Sequence, residues 1–113
     1  MDDVLAAIDA FGAAWSDHDL DAALALVTHD CVFDATGPAP DGAAAVGPEA
    51  IRAAWAPIFV DTASRFEPEE TFAAGDRVVQ RWTYSWVGGH VRGVDVMRVR
   101  DGRVAEKLSY VKG

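Results

Sequence analysis

The order of the predicted elements indicates an α+β fold, with three N-terminal helices packed on one face of a strongly curved, mostly antiparallel sheet. Two observations predict it. Apolar residues recur at helical spacing in three segments of the first half of the chain. Apolar and polar residues then alternate in four segments joined by short turns that contain glycine. Helices followed by a run of strands favour the α+β class. The chain has 113 residues, and we expect residues 1–113 to form a single domain.

The first two helices are predicted from their apolar stripes. Residues 3–16 form the first, with a stripe that consists of Val4, Ile8, Phe11 and Trp15. A second helix follows in the segment SDHDLDAALALV, with Asp17 or Asp19 as its N-cap. Its buried side consists of Leu20, Leu24 and Val27.

A short strand, a loop and the third helix come next. Residues 31–35 read as a strand, and residues 37–47, rich in Gly, Pro and Ala, read as a loop. Pro48 suits the first turn of the third helix, and Pro57 should kink that helix or end it early. Its apolar face consists of Ile51, Ala54, Trp55, Ile58 and Phe59.

Four strands are predicted in the second half. They span residues 65–73, 77–87, 90–100 and 103–111, and the turns between them are AAGD, VGGH and RDGR. In the second of these strands, one face carries the aromatic residues, and we expect the helices to cover it. That face consists of Val78, Gln80, Trp82, Tyr84 and Trp86.

Asp95 lies in the middle of an apolar strand, where aspartate is depleted and an unpaired carboxylate is costly to bury. Three arginines mark one face of this strand as outward: Arg92, Arg98 and Arg100. Asp95 therefore falls on the inner face with Met97 and Val99. Two interpretations stay open: a structural carboxylate held by a donor, or a carboxyl group that faces a cavity and takes part in acid–base chemistry or ligand binding.

Composition excludes several classes of partner. The formal charge of −8 disfavours nucleic acid and anionic membranes, and no apolar run approaches the ~20 residues of a membrane span. The acidic N-terminus lacks the features of a secretion signal, so we expect a cytoplasmic protein. Cys31, the only cysteine, is expected to be a small core residue.

No metal or cofactor is expected from the motifs of the chain. The three histidines, His18, His29 and His90, are not at metal-ligand spacing, and no Gly-rich phosphate loop follows a strand. The outer sheet face mixes Val, Thr, Ser and Arg, which is typical of a modest protein interface. We therefore expect a homodimer that pairs through this face.

The chain resembles the nuclear transport factor 2-like superfamily, which includes ketosteroid isomerases, SnoaL-like polyketide cyclases, limonene epoxide hydrolase and scytalone dehydratase. The segments that carry the resemblance are AAWSDHDLDAALALVTHDCVF, GPEAIRAAW, VVQRWTYSW and RGVDVMRVRDGRVAE. The resemblance implies a cone-shaped α+β barrel, in which a bent sheet wraps three helices and leaves a pocket open at one end. It does not fix the reaction, because one fold supports many functions.

Comparison with ketosteroid isomerases assigns Asp95 a chemical role. It matches the aspartic acid of their oxyanion hole, whereas the tyrosine position falls on Phe11 and the position of the base falls on Ala35. Asp34 stands one residue before that position. A bulge at the strand end would turn Asp34 inward; otherwise it is a solvated rim or loop residue. A steroid isomerase of the known type is therefore not expected.

The final strand gives two conflicting predictions. Alternation alone would bury Val104, Leu108 and Tyr110, together with Glu106. The resemblance instead directs Lys107, Ser109 and Val111 toward the pocket. An inward Lys107 could pair with Asp95 and hold it charged, which would make the aspartate a base rather than a hydrogen-bond donor.

Two functions fit these observations. The first is a cofactor-free isomerase, cyclase or dehydratase that acts on a small hydrophobic carbonyl compound, with Asp95, Asp34 and Lys107 as candidate catalytic residues. The second is a non-catalytic ligand-binding or dimerisation module. In the first, the ligand-binding wall would consist of Phe11, Trp15, Trp55, Trp82, Tyr84, Trp86, Met97 and Ser109. In the second, the pocket would hold a lipid-like or aromatic ligand or be filled by side chains.

Overall fold

A computed structural model of the protein describes residues 3–112. Three helices pack on the concave face of a six-stranded sheet. The helices are α1 (Asp3–Ser16), α2 (Leu20–Ala25) and α3 (Pro48–Phe59). The strands are β1 (Val27–Asp34), β2 (Ala44–Val46), β3 (Arg65–Ala74), β4 (Arg77–Trp86), β5 (Gly89–Arg100) and β6 (Arg103–Val111). The α+β class predicted from the sequence is confirmed.

The sheet has the order β2-β1-β6-β5-β4-β3. Strands β3 to β6 form an antiparallel meander, and β1 lies parallel to β6. This arrangement places β1 beside β6 and leaves β2 and β3 as the two edge strands of the sheet. The inner faces of β5 and β6 therefore form the middle of the concave surface.

The second helix is shorter, and the first strand longer, than predicted. The α2 helix is capped by the carboxylate of Asp19, which accepts a hydrogen bond from the backbone N–H of Ala22, and it ends at Ala25. Val27, predicted as helical, is instead the first residue of β1 and pairs with Val104 of β6. A buried Val27 fits the apolar stripe of a helix and the alternation of a strand equally well. The helix predicted from spacing alone is therefore wrong at this residue.

Residues 44–46 form a strand within the predicted loop. Strand β2 pairs antiparallel with the end of β1. It consists of two alanines and a valine and lacks the alternation that identifies longer strands. The third helix begins at Pro48 as predicted and continues two residues beyond Pro57, which lies in its last turn.

A β-bulge in β6 decides which of its residues face inward. Arg98 is opposite Glu106 and Val99 is opposite Val104, so Ala105 is the extra residue on β6. Both Val104 and Ala105 are buried, and beyond the bulge Lys107 and Ser109 take the inner face. Simple alternation from Val104 is therefore wrong for the second half of the strand.

The core lies between the helices and the inner face of the sheet. Its fully buried side chains include Ile8, Ile51, Trp55, Val78, Met97 and Val104. Among residues 3–112, no helix is long and apolar enough to cross a membrane.

Candidate functional site

A cavity of about 500 Å³ lies between helices α1 and α3 and the inner face of the sheet. This volume is within the range that holds small ligands. Its walls are mainly aromatic and aliphatic side chains: Phe11, Trp15, Phe33, Ile58, Phe66, Trp82 and Val91. Its polar lining comes from Thr36, Gln80, Tyr84, Asp95, Lys107 and Ser109. The sheet contributes most of the polar groups and the helices contribute apolar surface.

Asp95, Lys107 and Ser109 form one hydrogen-bonded cluster on the sheet side of the cavity. The ammonium of Lys107 lies 3.1 Å from Asp95 Oδ2, and the Ser109 hydroxyl donates to Asp95 Oδ1 over 2.7 Å. Lys107 Nζ also donates to Ser109 Oγ over 3.0 Å. Oδ1 thus accepts a hydrogen bond from Ser109, and Oδ2 is in ion-pair contact with Lys107; both partners lie on β6.

Strand register explains why these three side chains meet. Asp95 on β5 is directly opposite Ser109 on β6, and Lys107 precedes Ser109 on the same face. The bulge at Ala105 puts both β6 residues on the inner face, because without it Lys107 would point outward. The exposed fractions are 1% for Asp95 and 8% each for Lys107 and Ser109.

The cluster places a positive charge against aromatic rings. Lys107 Nζ lies 5.1 Å from the ring centroids of both Trp15 and Phe33, within the distance of a cation–π contact. An ammonium has three N–H donors; Lys107 uses one in the hydrogen bond to Ser109 and is in ion-pair contact with Asp95. It therefore retains donor capacity for a group in the cavity. A carboxylate and an ammonium in contact also make the cluster neutral overall.

Two further polar side chains lie on β4. Gln80 is opposite Asp95 and is 6% exposed; its Nε2 donates to Thr71 Oγ1 of β3 over 3.0 Å. That bond fixes the amide plane beside the cluster. Tyr84, four residues further along the strand, is half-buried and also lines the cavity.

An aromatic cluster connects the helices to the sheet. The ring of Trp15 packs edge-on against Trp55 at 5.1 Å between centroids and is tilted against Phe59 at 4.6 Å. Trp55 is fully buried and lies behind the cavity wall, in contact with Phe11 and Phe33. The indole N–H groups of three tryptophans are buried without a partner among residues 3–112: Trp15, Trp55 and Trp82.

Several residues predicted for the site lie elsewhere in the structure. Asp34 is at the end of β1 beside Leu108 of β6, whereas its neighbours Phe33 and Ala35 line the cavity. Met97 is buried in the core and does not line the cavity. Trp86 is 40% exposed near the β4–β5 hairpin and packs on Tyr84, with 5.9 Å between ring centroids.

The prediction also left out residues that line the cavity. Alternation already placed Gln80 on the inner face, so its contribution could have been read from the sequence. Phe33 gave a similar signal, since it is apolar and alternates with Asp34. The small residues from the ends of β1 and β2 gave none: Ala35, Gly37, Ala43, Ala44 and Ala45.

The thiol of Cys31 and the described acidic side chains other than Asp95 do not line the cavity. Burial raises the pKa of the Cys31 thiol to about 11, which leaves it protonated and unreactive at neutral pH. Hydrogen bonds from Arg100 and Thr28 lower the pKa of the exposed Asp30 to about 2. Within residues 3–112, no group of three or more His, Cys, Asp or Glu side chains is arranged to hold a metal ion.

Comparison with known proteins identifies the family. The profile of the SnoaL-like domain matches residues 8–107, nearly the whole chain. The protein belongs to the SnoaL-like family. No curated protein matches the sequence significantly.

Solved structures confirm the nuclear transport factor 2-like fold of this SnoaL-like chain. An NTF2-like protein of unknown function from Mesorhizobium loti is 42% identical, with a TM-score of 0.89, and the match covers 99% of this chain and 93% of that one. A computationally designed 17-OHP binder is 28% identical over 97% and 91% of the two chains, with a TM-score of 0.82.

A third structure is that of RV0760c from Mycobacterium tuberculosis in complex with estradiol-17beta-hemisuccinate. It is 26% identical over 96% of this chain and 92% of that one, with a TM-score of 0.80. Structural neighbours of this SnoaL-like protein thus bind small hydrophobic ligands.

Proposed function

We propose that this SnoaL-like protein is a cofactor-free enzyme that moves a proton at the carbon next to a carbonyl group of a small hydrophobic substrate. The observation that carries the proposal is the Asp95–Lys107–Ser109 cluster, which places a carboxylate and an ammonium together in the wall of a mainly apolar cavity. Isomerisation, aldol-type cyclisation and dehydration all begin with this proton transfer.

The members of the cluster have different roles in the proposed reaction. Asp95 is the base: its oxygens retain free lone pairs, and water does not compete for them because the side chain is 1% exposed. Lys107 donates an N–H to the carbonyl oxygen and stabilises the negative charge that develops there. Ser109 holds the carboxylate in the orientation needed for proton transfer.

The cavity supports a largely apolar substrate. Phe11, Trp15 and Trp82 offer aromatic surface, and the cluster is neutral overall, so a ligand with a net charge finds no unpaired counter-charge among the groups described here. The 17-OHP ligand for which a structural neighbour was designed supports this choice of a hydrophobic substrate. We assign no catalytic role to Asp34, which lies outside the cavity lining.

Exchange of substrate protons with solvent tests the proposal without knowledge of the natural substrate. A panel of cyclic and bicyclic ketones is incubated with the protein in D2O, and NMR follows the loss of the protons next to the carbonyl. The wild type should accelerate exchange for at least one ketone, and Asp95→Asn should abolish the acceleration. Asp101→Asn is the matched control, because Asp101 is exposed in a turn with a φ of 54° that asparagine also adopts.

A ligand-binding protein without catalysis is the second candidate. The observation that favours it is the closed ion pair: Asp95 already has both oxygens engaged, which suits a structural role at the end of a binding cavity. Saturable binding of estradiol-17beta-hemisuccinate, measured by tryptophan fluorescence, without exchange of any ketone in the panel would support this alternative over the enzyme.

We also propose a homodimer formed through the outer face of the sheet. Tyr110 is 55% exposed there beside Val94, its cross-strand neighbour. Around them, Arg92 donates to Glu69 over 2.8 Å, and hydrogen bonds from Arg92 and Thr83 lower the pKa of Glu69 to about 2. A two-fold interface brings a patch against its own copy, so a mixture of both charges around an apolar centre is self-complementary.

A further inference from the structure

We propose that Lys107 acts as a nucleophile and forms a Schiff base with the carbonyl carbon of an aldehyde or ketone in the cavity. This inference rests on the proposed function in one respect, that the ligand is a carbonyl compound. It replaces the hydrogen bond from Lys107 to the carbonyl oxygen with a covalent intermediate, in which the protonated Schiff-base nitrogen of Lys107 activates the substrate.

The surroundings of Lys107 Nζ suit a nitrogen that remains positively charged. The rings of Trp15 and Phe33 lie 5.1 Å from it and Asp95 Oδ2 lies 3.1 Å from it. A protonated Schiff base carries its positive charge at the same nitrogen as the ammonium it replaces. The aromatic rings and the carboxylate that stabilise the ammonium therefore stabilise the product of the condensation equally well.

The free amine needed for attack arises by proton transfer within the cluster. Moving one proton from Lys107 Nζ to Asp95 Oδ2 converts the ion pair into a neutral amine and a carboxylic acid, and no net charge is created or lost. Both side chains are nearly buried, and only 3.1 Å separates Lys107 Nζ from Asp95 Oδ2, so the proton moves across one short contact. Ser109 Oγ, 3.0 Å from the amine and 2.7 Å from the carboxyl group, holds the two in place.

The condensation needs no proton donor or acceptor other than Lys107, Asp95 and the carbonyl compound itself. The amine lone pair forms the N–C bond, and the carbonyl π electrons move to oxygen, which takes the proton from Asp95. This gives a carbinolamine with a protonated nitrogen and an ionised Asp95. Asp95 removes one nitrogen proton and returns it to the hydroxyl group, which leaves as water when the nitrogen lone pair forms the C=N bond. Overall, R–NH3⁺ and O=C become R–NH⁺=C and H2O.

Formation of the Schiff base prepares the next proton transfer, in which Asp95 is the base. The positive nitrogen withdraws electrons from the adjacent C–H bond, and the regenerated carboxylate of Asp95 is positioned to take that proton, leaving an enamine. Reprotonation at another carbon, or attack of the enamine on an electrophile, followed by addition of water to the Schiff base, releases the product and restores the amine. Asp95 thus serves as acid in the condensation and as base in the proton transfer.

Reductive trapping tests this proposal directly, because the chain has only two lysines, Lys107 and Lys112. The full-length protein is incubated with cyclohexanone and sodium cyanoborohydride, and the modified residue is located by peptide mass mapping. We expect a single secondary amine on Lys107, formed faster than any on Lys112, which is exposed and serves as an internal reference. A wild-type protein modified only at Lys112 or at the N-terminal amine would overturn the proposal.

Two variants separate a specific reaction from general lysine chemistry. Lys107→Arg keeps the positive charge but cannot form a Schiff base, and it should lose the trapped adduct on residue 107. Lys112→Arg, checked in parallel, should keep the adduct on Lys107. Circular dichroism establishes that both variants are folded, and the wild-type result stands alone if Lys107→Arg does not fold.

The outcomes also distinguish this inference from the proposed function. Ketone proton exchange that depends on Asp95 and persists in Lys107→Arg, without any adduct on Lys107 in the wild type, would refute the Schiff base and leave the proposed proton transfer intact. An adduct on Lys107 with no exchange in the wild type would support the nucleophile and refute the proposed reaction.

Discussion

At the scale of single residues, Asp95 is explained by the groups that surround it. An unpaired carboxylate in this position would be strongly unfavourable, yet Lys107 and Ser109 satisfy both of its oxygens. Replacing such a pair by apolar residues is often neutral or stabilising, so stability alone gives little reason for it. Its location in the wall of a cavity agrees with a functional role.

Removing one partner of the pair should therefore be costly. Lys107→Met leaves the carboxylate of Asp95 buried without its counter-charge, and we expect the free energy of unfolding to fall by about 3 kcal/mol. The double variant Asp95→Leu with Lys107→Met removes both charges and should recover much of the loss. Urea denaturation measures both, and equal instability of the single and double variants would contradict the ion-pair description.

At the scale of elements, the position of the cluster depends on one irregularity in β6. The four long strands, the turns between them and the inner face of β4 could be predicted, because alternation is a strong signal in strands of nine or more residues. The bulge at Ala105 could not be predicted from the pattern, since Val104 and Ala105 are both small and apolar. Only the family resemblance indicated that Lys107 faces inward.

The site was predicted in part for the same reason. Asp95 on a regular strand was placed on the inner face by alternation alone. The cavity wall from β2 and the end of β1 was not foreseen, because Ala35 and Ala44 have no side chain large enough to mark a face. Trp86 shares the inner face of β4, but it is the last residue of that strand, is exposed and does not line the cavity.

Close contact between β4 and β5 gives a prediction at this scale. Gly93 is opposite Trp82, and a Cβ atom there would lie 2.6 Å from Trp82 Cζ2 and 2.4 Å from the backbone oxygen of Tyr110. Gly93→Ala should displace the Trp82 ring from its place in the cavity wall and destabilise the protein by about 1–3 kcal/mol. Thermal unfolding and tryptophan fluorescence measure the two effects.

Gly12→Ala is the matched control for this change. Gly12 lies within α1, and a Cβ atom added there would have no heavy atom within 4 Å. Alanine favours the helix, so this variant should gain about 0.5–1 kcal/mol of stability. A Gly93→Ala protein as stable as the wild type would contradict the close contact between Gly93 and the ring of Trp82.

In the molecule as a whole, the inner and outer faces of the sheet carry different features. The inner face holds the cavity, and the outer face carries exposed Tyr110 among paired charges. If that face forms the dimer, Tyr110→Glu should convert a dimer into a monomer in sedimentation equilibrium, because it introduces like charges beside Glu69 across a two-fold axis.

A change of the same type on the helix side is the control for the dimer. Val60 follows α3 and is 76% exposed, so Val60→Glu adds the same charge to a different surface and should leave the mass unchanged. A wild-type protein that sediments as a monomer at all concentrations would contradict the proposed dimer.

We propose that the buried carboxylate of Asp95 takes a proton from the carbon next to the carbonyl group of a bound compound. The most direct measurement is the rate of ketone proton exchange in D2O for wild type and Asp95→Asn under the same conditions. A positioned general base contributes about 100-fold to 10,000-fold, so we predict that the variant loses at least about 100-fold of the acceleration while its folding, followed by circular dichroism, is retained. Equal exchange rates in the two folded proteins would contradict the account.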